Sequence, residues 1–134
     1  MTTTLEGRVL IAEDDPDIQW IIRHHLTRAG ARVAVVSDGK DAVAAAIESR
    51  TARDPFGLVV MDVEMPGMDG LTAAATLRSI GWRWPIVALT AHTGPKERNR
   101  CLDSGCDDFL PKPTEKDELL RTCGAWLSVS RAMG

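Results

Sequence analysis

Carboxylates placed at the ends of apolar runs are the residues of this chain with the clearest chemical use. Val9-Leu-Ile-Ala12 runs into Glu13-Asp14-Asp15, and Leu58-Val-Val-Met61 runs into Asp62-Val-Glu64. Two later runs end at Thr90 and at Lys112. If Glu13, Asp14 and Asp62 converge, like charges at ~4 Å with an effective dielectric near 20 repel by roughly 4 kcal/mol, so a cation must sit among them. Carboxylate oxygens with no His or Cys beside them select an octahedral Mg²⁺ that keeps several waters, and Mn²⁺ is expected to substitute. Lys112 supplies a second, fixed positive charge. A free carboxylate beside Mg²⁺, an ammonium and a hydroxyl donor is an arrangement that neutralises a transferring phosphoryl group. A carboxylate nucleophile in that setting forms an aspartyl phosphate. Asp62 is the central candidate for that role, with Thr90 and Lys112 placed to bond phosphoryl oxygens.

Such convergence requires elements that bring distant residues to one edge. Leu58 to Met61 is short, uninterrupted and rich in β-branched residues, which suits a strand buried on both faces of a parallel sheet. Met65-Pro66-Gly67-Met68 follows with the chemistry of a type II turn, so the chain stops sharply after Asp62. Arg8–Ala12, Arg32–Val36, Ile86–Leu89 and Asp107–Leu110 read as further strands.

Between them lie helical patterns. Asp15 before Pro16 is the expected N-cap of a helix carrying Ile18, Ile21, Ile22, His25 and Leu26 on one stripe, ending at Gly30. Lys40 to Arg50, Gly70 to Gly81 (through Leu71, Ala74, Ala75 and Leu77) and Lys96 to Leu102 are expected to be the next three helices. Thr114-Glu-Lys-Asp117 resembles a capping box opening a last helix, with Leu119, Leu120, Cys123, Trp126 and Leu127 inward and Ser128 to Gly134 as a tail. Five strands alternating with five helices predict an α/β, doubly wound parallel sheet. Right-handed crossovers put every strand's carboxyl end on one edge, where ligands bind such sheets.

The totals narrow the field further. At 134 residues with 44 % hydrophobic content, the chain is expected to form a single domain over 1–134, with its core at about 8–127. A net charge of −3 gives no basic footprint for a nucleic-acid backbone, so direct nucleic-acid binding is disfavoured. No apolar stretch approaches a membrane span, and the Met1 segment lacks a signal-peptide pattern, which places the expected location in the cytoplasm. Cys101, Cys106 and Cys123 match no thiol-metal spacing and read as small buried thiols.

Four stretches together resemble the response regulator receiver domain of two-component and phosphorelay signalling, over about Arg8 to Leu127. They are Val9-Leu-Ile-Ala-Glu13-Asp14-Asp-Pro, Val60-Met-Asp62-Val-Glu-Met-Pro66-Gly-Met-Asp-Gly70, Ala88-Leu-Thr90-Ala and Phe109-Leu-Pro-Lys112-Pro113. The resemblance implies a flavodoxin-like strand order 2-1-3-4-5 and a phosphoacceptor at Asp62. It implies Mg²⁺ held by Glu13, Asp14, Asp62 and the backbone carbonyl of Glu64, with Thr90 and Lys112 as switch hydroxyl and lysine. Phe109 matches the aromatic switch position without the hydroxyl that a tyrosine would bring, and a cis Lys112-Pro113 bond is implied as well. Glu64 and His92, each two residues past a site residue, match positions that border the phosphoryl pocket and tune hydrolysis. The implied donor is a histidine kinase or histidine phosphotransfer protein. A downstream protein would bind the fourth-helix, fifth-strand, fifth-helix face, and a weak dimer is left open. Ala88 to His92 and Arg100 to Lys112 resemble receivers of hybrid histidine kinases in particular, so a stand-alone regulator and a segment of such a kinase both stay open. The Met1 start leans toward the first.

Blander readings compete at single positions. Glu13 and Asp14 could serve only the dipole of the helix that follows, and Thr90 could be a plain strand-end residue. Adjacent His24 and His25 point to different helix faces and suit surface or packing roles. Trp20 lies off the apolar stripe and could mark a partner surface, whereas loop packing serves equally well for Trp82 and Trp84. The alternative function is a Mg²⁺-dependent phosphohydrolase with an aspartate nucleophile, which Asp62-Val-Glu64 echoes weakly because that chemistry wants a second aspartate. Flavin binding is disfavoured, since Glu13-Asp14-Asp15 would repel the phosphate that the first loop must cradle. A receiver-like module that binds without being phosphorylated has nothing in its favour, because acceptor, acidic pair, hydroxyl and lysine are all present.

Overall fold

The computed structural model describes residues 3–133. Five strands and five helices alternate: β1 Arg8–Ala12, α1 Pro16–Arg28, β2 Arg32–Val36, α2 Gly39–Thr51, β3 Leu58–Asp62, α3 Gly70–Ser79, β4 Ile86–Thr90, α4 Pro95–Asp103, β5 Asp108–Pro111 and α5 Lys116–Ala132. All four strand pairings are parallel, and the sheet order is β2-β1-β3-β4-β5, as the resemblance implied.

The period-2 alternation of strands divides the apolar residues between two layers. Leu10, Ala12, Val59, Met61, Ile86 and Ala88 pack with Ala42 and Ala46 of α2, Ala74 and Leu77 of α3 and Cys101 of α4. Val9, Ile11, Leu58, Val60, Val87 and Leu89 pack on the opposite face with Ile22 and Leu26 of α1 and Leu119, Cys123 and Leu127 of α5. Each fully buried Val, Leu or Ile contributes about 1.5–3 kcal/mol, so β1, β3 and β4 form a stiff floor beneath the residues at their carboxyl ends. No helix among the described residues is long and apolar enough to cross a membrane.

Local signals explain most boundaries. Asp15 caps α1, accepting from Asp17 N at 2.8 Å and Ile18 N at 3.4 Å, with Pro16 following as the first helical residue. Asp38 and Asp69 cap α2 and α3 in the same way. Gly67 takes φ +72°, the conformation a type II turn demands after Pro66.

Several expectations are corrected. The capping box at Thr114 does not form: α5 begins at Lys116 with Glu115 at its N-cap and no side-chain cap bond. Thr114 thus stands one residue too early for its hydroxyl to reach the first-turn amides, and that buried oxygen has no hydrogen-bond partner. α5 also runs through Ala132, well past Leu127, so Ser128 onward is helix rather than tail up to that point. In α3 the buried alanine beside Ala74 is Ala73, while Ala75 is exposed. Ile21 of the supposed α1 stripe is also exposed. Trp82 is a core residue, 2 % exposed and edge-on to Trp84 at 4.7 Å, which decides for packing.

Candidate functional site

The strand ends do meet. β3 and β4 each extend one residue beyond their apolar runs, so Asp62 and Thr90 are the last residues of buried strands. Glu13 follows β1 directly, and its N–H donates to Val36 O at 3.1 Å, which continues the sheet pattern past Ala12. The Gln19 side chain donates to the Glu13 carbonyl from α1, fixing that backbone. Lys112 follows β5, and its N–H donates to Thr90 O at 2.8 Å. The Lys112-Pro113 bond is cis.

Carboxylate oxygens of Glu13, Asp14 and Asp62 all lie within 4.8 Å of one another. Asp14 is exposed at the rim, while Glu13 and Asp62 are buried at 0 % and 2 % exposure. Lys112 Nζ donates to Asp62 Oδ2 at 2.9 Å and lies 2.8 Å from Glu13 Oε1. The second contact is an ion pair without hydrogen-bond alignment, so Glu13 Oε1 has no aligned donor although it is buried. Asp62 Oδ1 accepts from Glu64 N at 3.1 Å, and Glu13 Oε2 from Asp14 N at 3.0 Å.

One ammonium therefore serves two buried carboxylates, Glu13 and Asp62. Burial, then a hydrogen bond with Asp62, pushes the Glu13 carboxyl up to about 8, because a second negative charge beside Asp62 is opposed by Lys112 alone. For Lys112 burial works to lower the value, but its close contacts with the Glu13 and Asp62 carboxylates outweigh it and hold the ammonium above its ordinary range. A buried carboxylate oxygen lacking an aligned donor, in an all-oxygen set open at the Asp14 rim, fits a hard divalent cation such as Mg²⁺.

The remaining candidates lie around this centre. Thr90 is buried, and its hydroxyl bonds within its own loop: it lies 3.1 Å from the His92 carbonyl, 3.4 Å from Glu97 Oε1, and accepts from His92 N at 3.1 Å. It is not bonded to Asp62. Phe109 is half-buried and packs on the core layer shared by α2, α3 and α4. The Glu64 side chain is exposed, outside the carboxylate cluster, with Oε1 3.6 Å from His92 Nε2. A cleft lined by Asp14, Val63, Glu64, Met65, Pro66, Asp69 and Arg100 opens beside the cluster, with a volume of about 560 Å³. His24 stacks on Trp20 at 4.8 Å between ring centres, away from the cluster.

Sequence reasoning missed two residues, Glu97 and Arg100. Glu97 is buried and ion-paired to Arg100 at 2.9 Å. Their segment, Lys96-Glu-Arg-Asn-Arg100, has the composition of a solvated helix face. The one available signal was position: Glu97 opens the helix that follows Thr90 and its loop.

Comparison with known proteins agrees with this geometry. The response regulator receiver domain family matches residues 9–123. Response regulator MprA of Mycolicibacterium vanbaalenii is 39 % identical over 120 residues, covering 90 % of this chain and 50 % of that protein. Sensor histidine kinase GacS of Pseudomonas protegens is 38 % identical over 128 residues, covering 92 % of this chain and 13 % of the kinase. The chain thus spans half the length of the first relative and a small part of the second. The receiver domain of sensor histidine kinase PA1611 from Pseudomonas aeruginosa, solved with a magnesium ion coordinated in its active site cleft, superposes with a TM-score of 0.80 at 35 % identity. That alignment covers 91 % of this chain and 98 % of that domain. With four parallel pairings in the order 2-1-3-4-5 and an acidic cluster at the carboxyl edge, the chain belongs to the response regulator receiver domain family of two-component signalling.

Proposed function

We propose that residues 1–134 act as one receiver unit that takes a phosphoryl group onto Asp62 from a phosphohistidine of a histidine kinase or a histidine phosphotransfer protein. The observation that carries this is the placement of Asp62: a buried carboxylate at the end of the central strand, held by Lys112 and within 4.8 Å of Glu13 and Asp14. Glu13, Asp14, Asp62 and the backbone carbonyl of Glu64 are the ligands for Mg²⁺, with Mn²⁺ as a substitute. When bound, the ion supplies positive charge against the phosphoryl oxygens.

In the transfer, an Asp62 carboxylate oxygen attacks phosphorus and forms the new P–O bond. The P–N bond to the donor histidine breaks, and its electron pair stays on the imidazole nitrogen. Lys112, already directed at Asp62, neutralises a phosphoryl oxygen. Thr90 donates its hydroxyl proton to another after leaving its loop partners. Phe109 then turns inward, and the α4–β5–α5 face changes its preference for a downstream protein or a second copy. Water later attacks the same phosphorus, the P–O bond to Asp62 breaks, its electron pair stays on the restored carboxylate and inorganic phosphate leaves, so the domain assists its own dephosphorylation without being an enzyme of turnover. We assign this exchange to the cytoplasm, where nucleoside triphosphates can charge the donor histidine.

Acetyl phosphate with Mg²⁺ tests the assignment by intact mass. One phosphoryl group should appear on the wild type and none on Asp62→Asn. Label that survives the substitution, or steady turnover of generic phosphate esters, would refute it.

A further inference from the structure

One more buried carboxylate stands on this edge of the molecule. Glu97, in the first turn of α4, is 8 % exposed. Its two oxygens have separate partners: Oε2 accepts from Arg100 Nη1 at 2.9 Å, and Oε1 lies 3.4 Å from Thr90 Oγ1. A threonine hydroxyl has one proton to donate. Both acceptors within reach of that proton, Glu97 Oε1 and the His92 carbonyl, belong to the segment that follows β4. The same hydroxyl accepts the His92 N–H, which fixes the loop around it.

We propose that Glu97 is a positioning residue that competes with a phosphoryl group on Asp62 for the Thr90 hydroxyl, and thereby sets how readily the domain enters its phosphorylated conformation. The inference rests on the phosphoacceptor reading of Asp62 and Thr90. An ionised carboxylate in a buried setting is a stronger acceptor than a carbonyl. A single proton cannot serve both it and a phosphoryl oxygen, so every contact that Thr90 gains on one side is lost on the other. Arg100 makes the exchange workable. Its guanidinium keeps Glu97 paired when Thr90 departs, which lowers the cost of leaving a buried charge without its other donor.

Beryllofluoride with Mg²⁺, a phosphoryl mimic, provides the test when its binding is followed by fluorine NMR. Thr90→Ala should weaken binding. Glu97→Gln should tighten it about three- to tenfold, the scale of one ordinary hydrogen bond, because the amide oxygen left in place is a weaker acceptor than the carboxylate. In the Thr90→Ala background Glu97→Gln should change nothing, because the competition is gone. Glu97→Asp keeps the charge but withdraws it by one methylene from a contact that is already long. It should tighten binding in the same sense, so the proposal stays testable if the glutamine variant does not fold. Without metal or mimic, three-bond couplings to the Thr90 methyl should report a redistributed side-chain rotamer in Glu97→Gln. Equal effects of Glu97→Gln in the wild-type and Thr90→Ala backgrounds, or no effect in either, would reduce Glu97 to a structural residue and overturn the inference. If the wild type binds no mimic, the phosphoacceptor reading fails and takes this inference with it; if Thr90→Ala binds it as well as the wild type, Asp62 keeps its role and this inference alone is overturned.

Discussion

Lys112 and Asp62 are joined by a 2.9 Å hydrogen bond between groups that lie 50 residues apart in sequence, and the same ammonium lies 2.8 Å from Glu13. Lys112 therefore supplies part of the positive charge that a divalent cation would bring, and the two compete for the carboxylates. Lys112→Ala should accordingly bind Mg²⁺ more tightly, by about tenfold if removing one nearby charge is worth roughly 1.4 kcal/mol. It should at the same time accept phosphoryl groups from acetyl phosphate much more slowly, since the charge on the phosphoryl oxygens goes unmet. Metal titration and intact mass on one variant check both signs. Faster phosphoryl transfer, or weaker Mg²⁺ binding, would contradict the competition.

Gly70 is required by closeness rather than by φ. A Cβ built there collides with the carbonyl of Asp62, and Met61 lies 3.0 Å from it. The Gly70 N–H also donates to Val63 O at 3.0 Å, which seats α3 against the end of β3. Gly70→Ala must displace the backbone of the acceptor itself. We expect a loss of about 2–4 kcal/mol in urea unfolding, the range of overpacking and strained core changes, and impaired phosphorylation of the fraction that folds. Gly67→Ala meets nothing within 4 Å and strains only its positive φ, so it should cost less.

What could be read before the structure was known, and what could not, divides along physical lines. β1 and β2 are legible to the residue because each is an uninterrupted apolar run bounded by polar residues, although β2 lies at the sheet edge and is only half-buried. The four site segments were legible because each closes such a run, and only the fold's parallel geometry was needed to join them. Glu97 was not legible. Its burial arises from α4 folding over Thr90, a tertiary fact with no periodic trace in a nine-residue helix that is mostly charged. Thr114 misled for a related reason: a capping box is a spacing, but which residue begins the helix depends on how the preceding loop leaves β5. Sharing of Lys112 between Glu13 and Asp62 likewise needed coordinates, since spacing gives proximity without partners.

Burial of the thiols predicts an alkaline limit to stability. Burial foremost pushes Cys106 up to about 12 and Cys123 likewise up to about 12, from an ordinary value of 9.0. Because the folded values are raised, their contribution is complete below pH 9, where both states keep the protons. It is lost as pH climbs from 9 toward 12, where the unfolded chain ionises and the folded one does not. Each thiol then subtracts roughly 1.4 kcal/mol per pH unit in that window. The chain has no tyrosine to titrate there. Urea unfolding between about pH 8 and 10.5 should show the decline, and Cys106→Ala with Cys123→Ala should make it shallower, the buried Cys101 thiol, also pushed up by burial, leaving a remainder. Native protein should also resist a thiol reagent at about pH 8 that labels the cysteines in urea.

His92 and Glu64 face each other across the mouth of the site, with Nε2 3.6 Å from Oε1 and both side chains about 70 % exposed. Glu64 leaves β3 two residues after Asp62, and His92 leaves β4 two residues after Thr90, so the pair links the loops that follow the two site strands. With the imidazole protonated, an exposed pair of this kind is worth about 0.2–1 kcal/mol, too little to fix the fold but enough to change how often the rim opens. His92→Ala should therefore leave the melting temperature nearly unchanged while speeding loss of the phosphoryl group about two- to fivefold. Glu64→Ala should act in the same direction, and the double variant should add little beyond either one, because both remove the same link. Decay of phosphorylated protein after removal of the donor measures all three. A His92→Ala decay rate equal to that of the wild type would take the imidazole out of the mechanism, and fully additive effects would mean that each side chain acts on the attacking water separately.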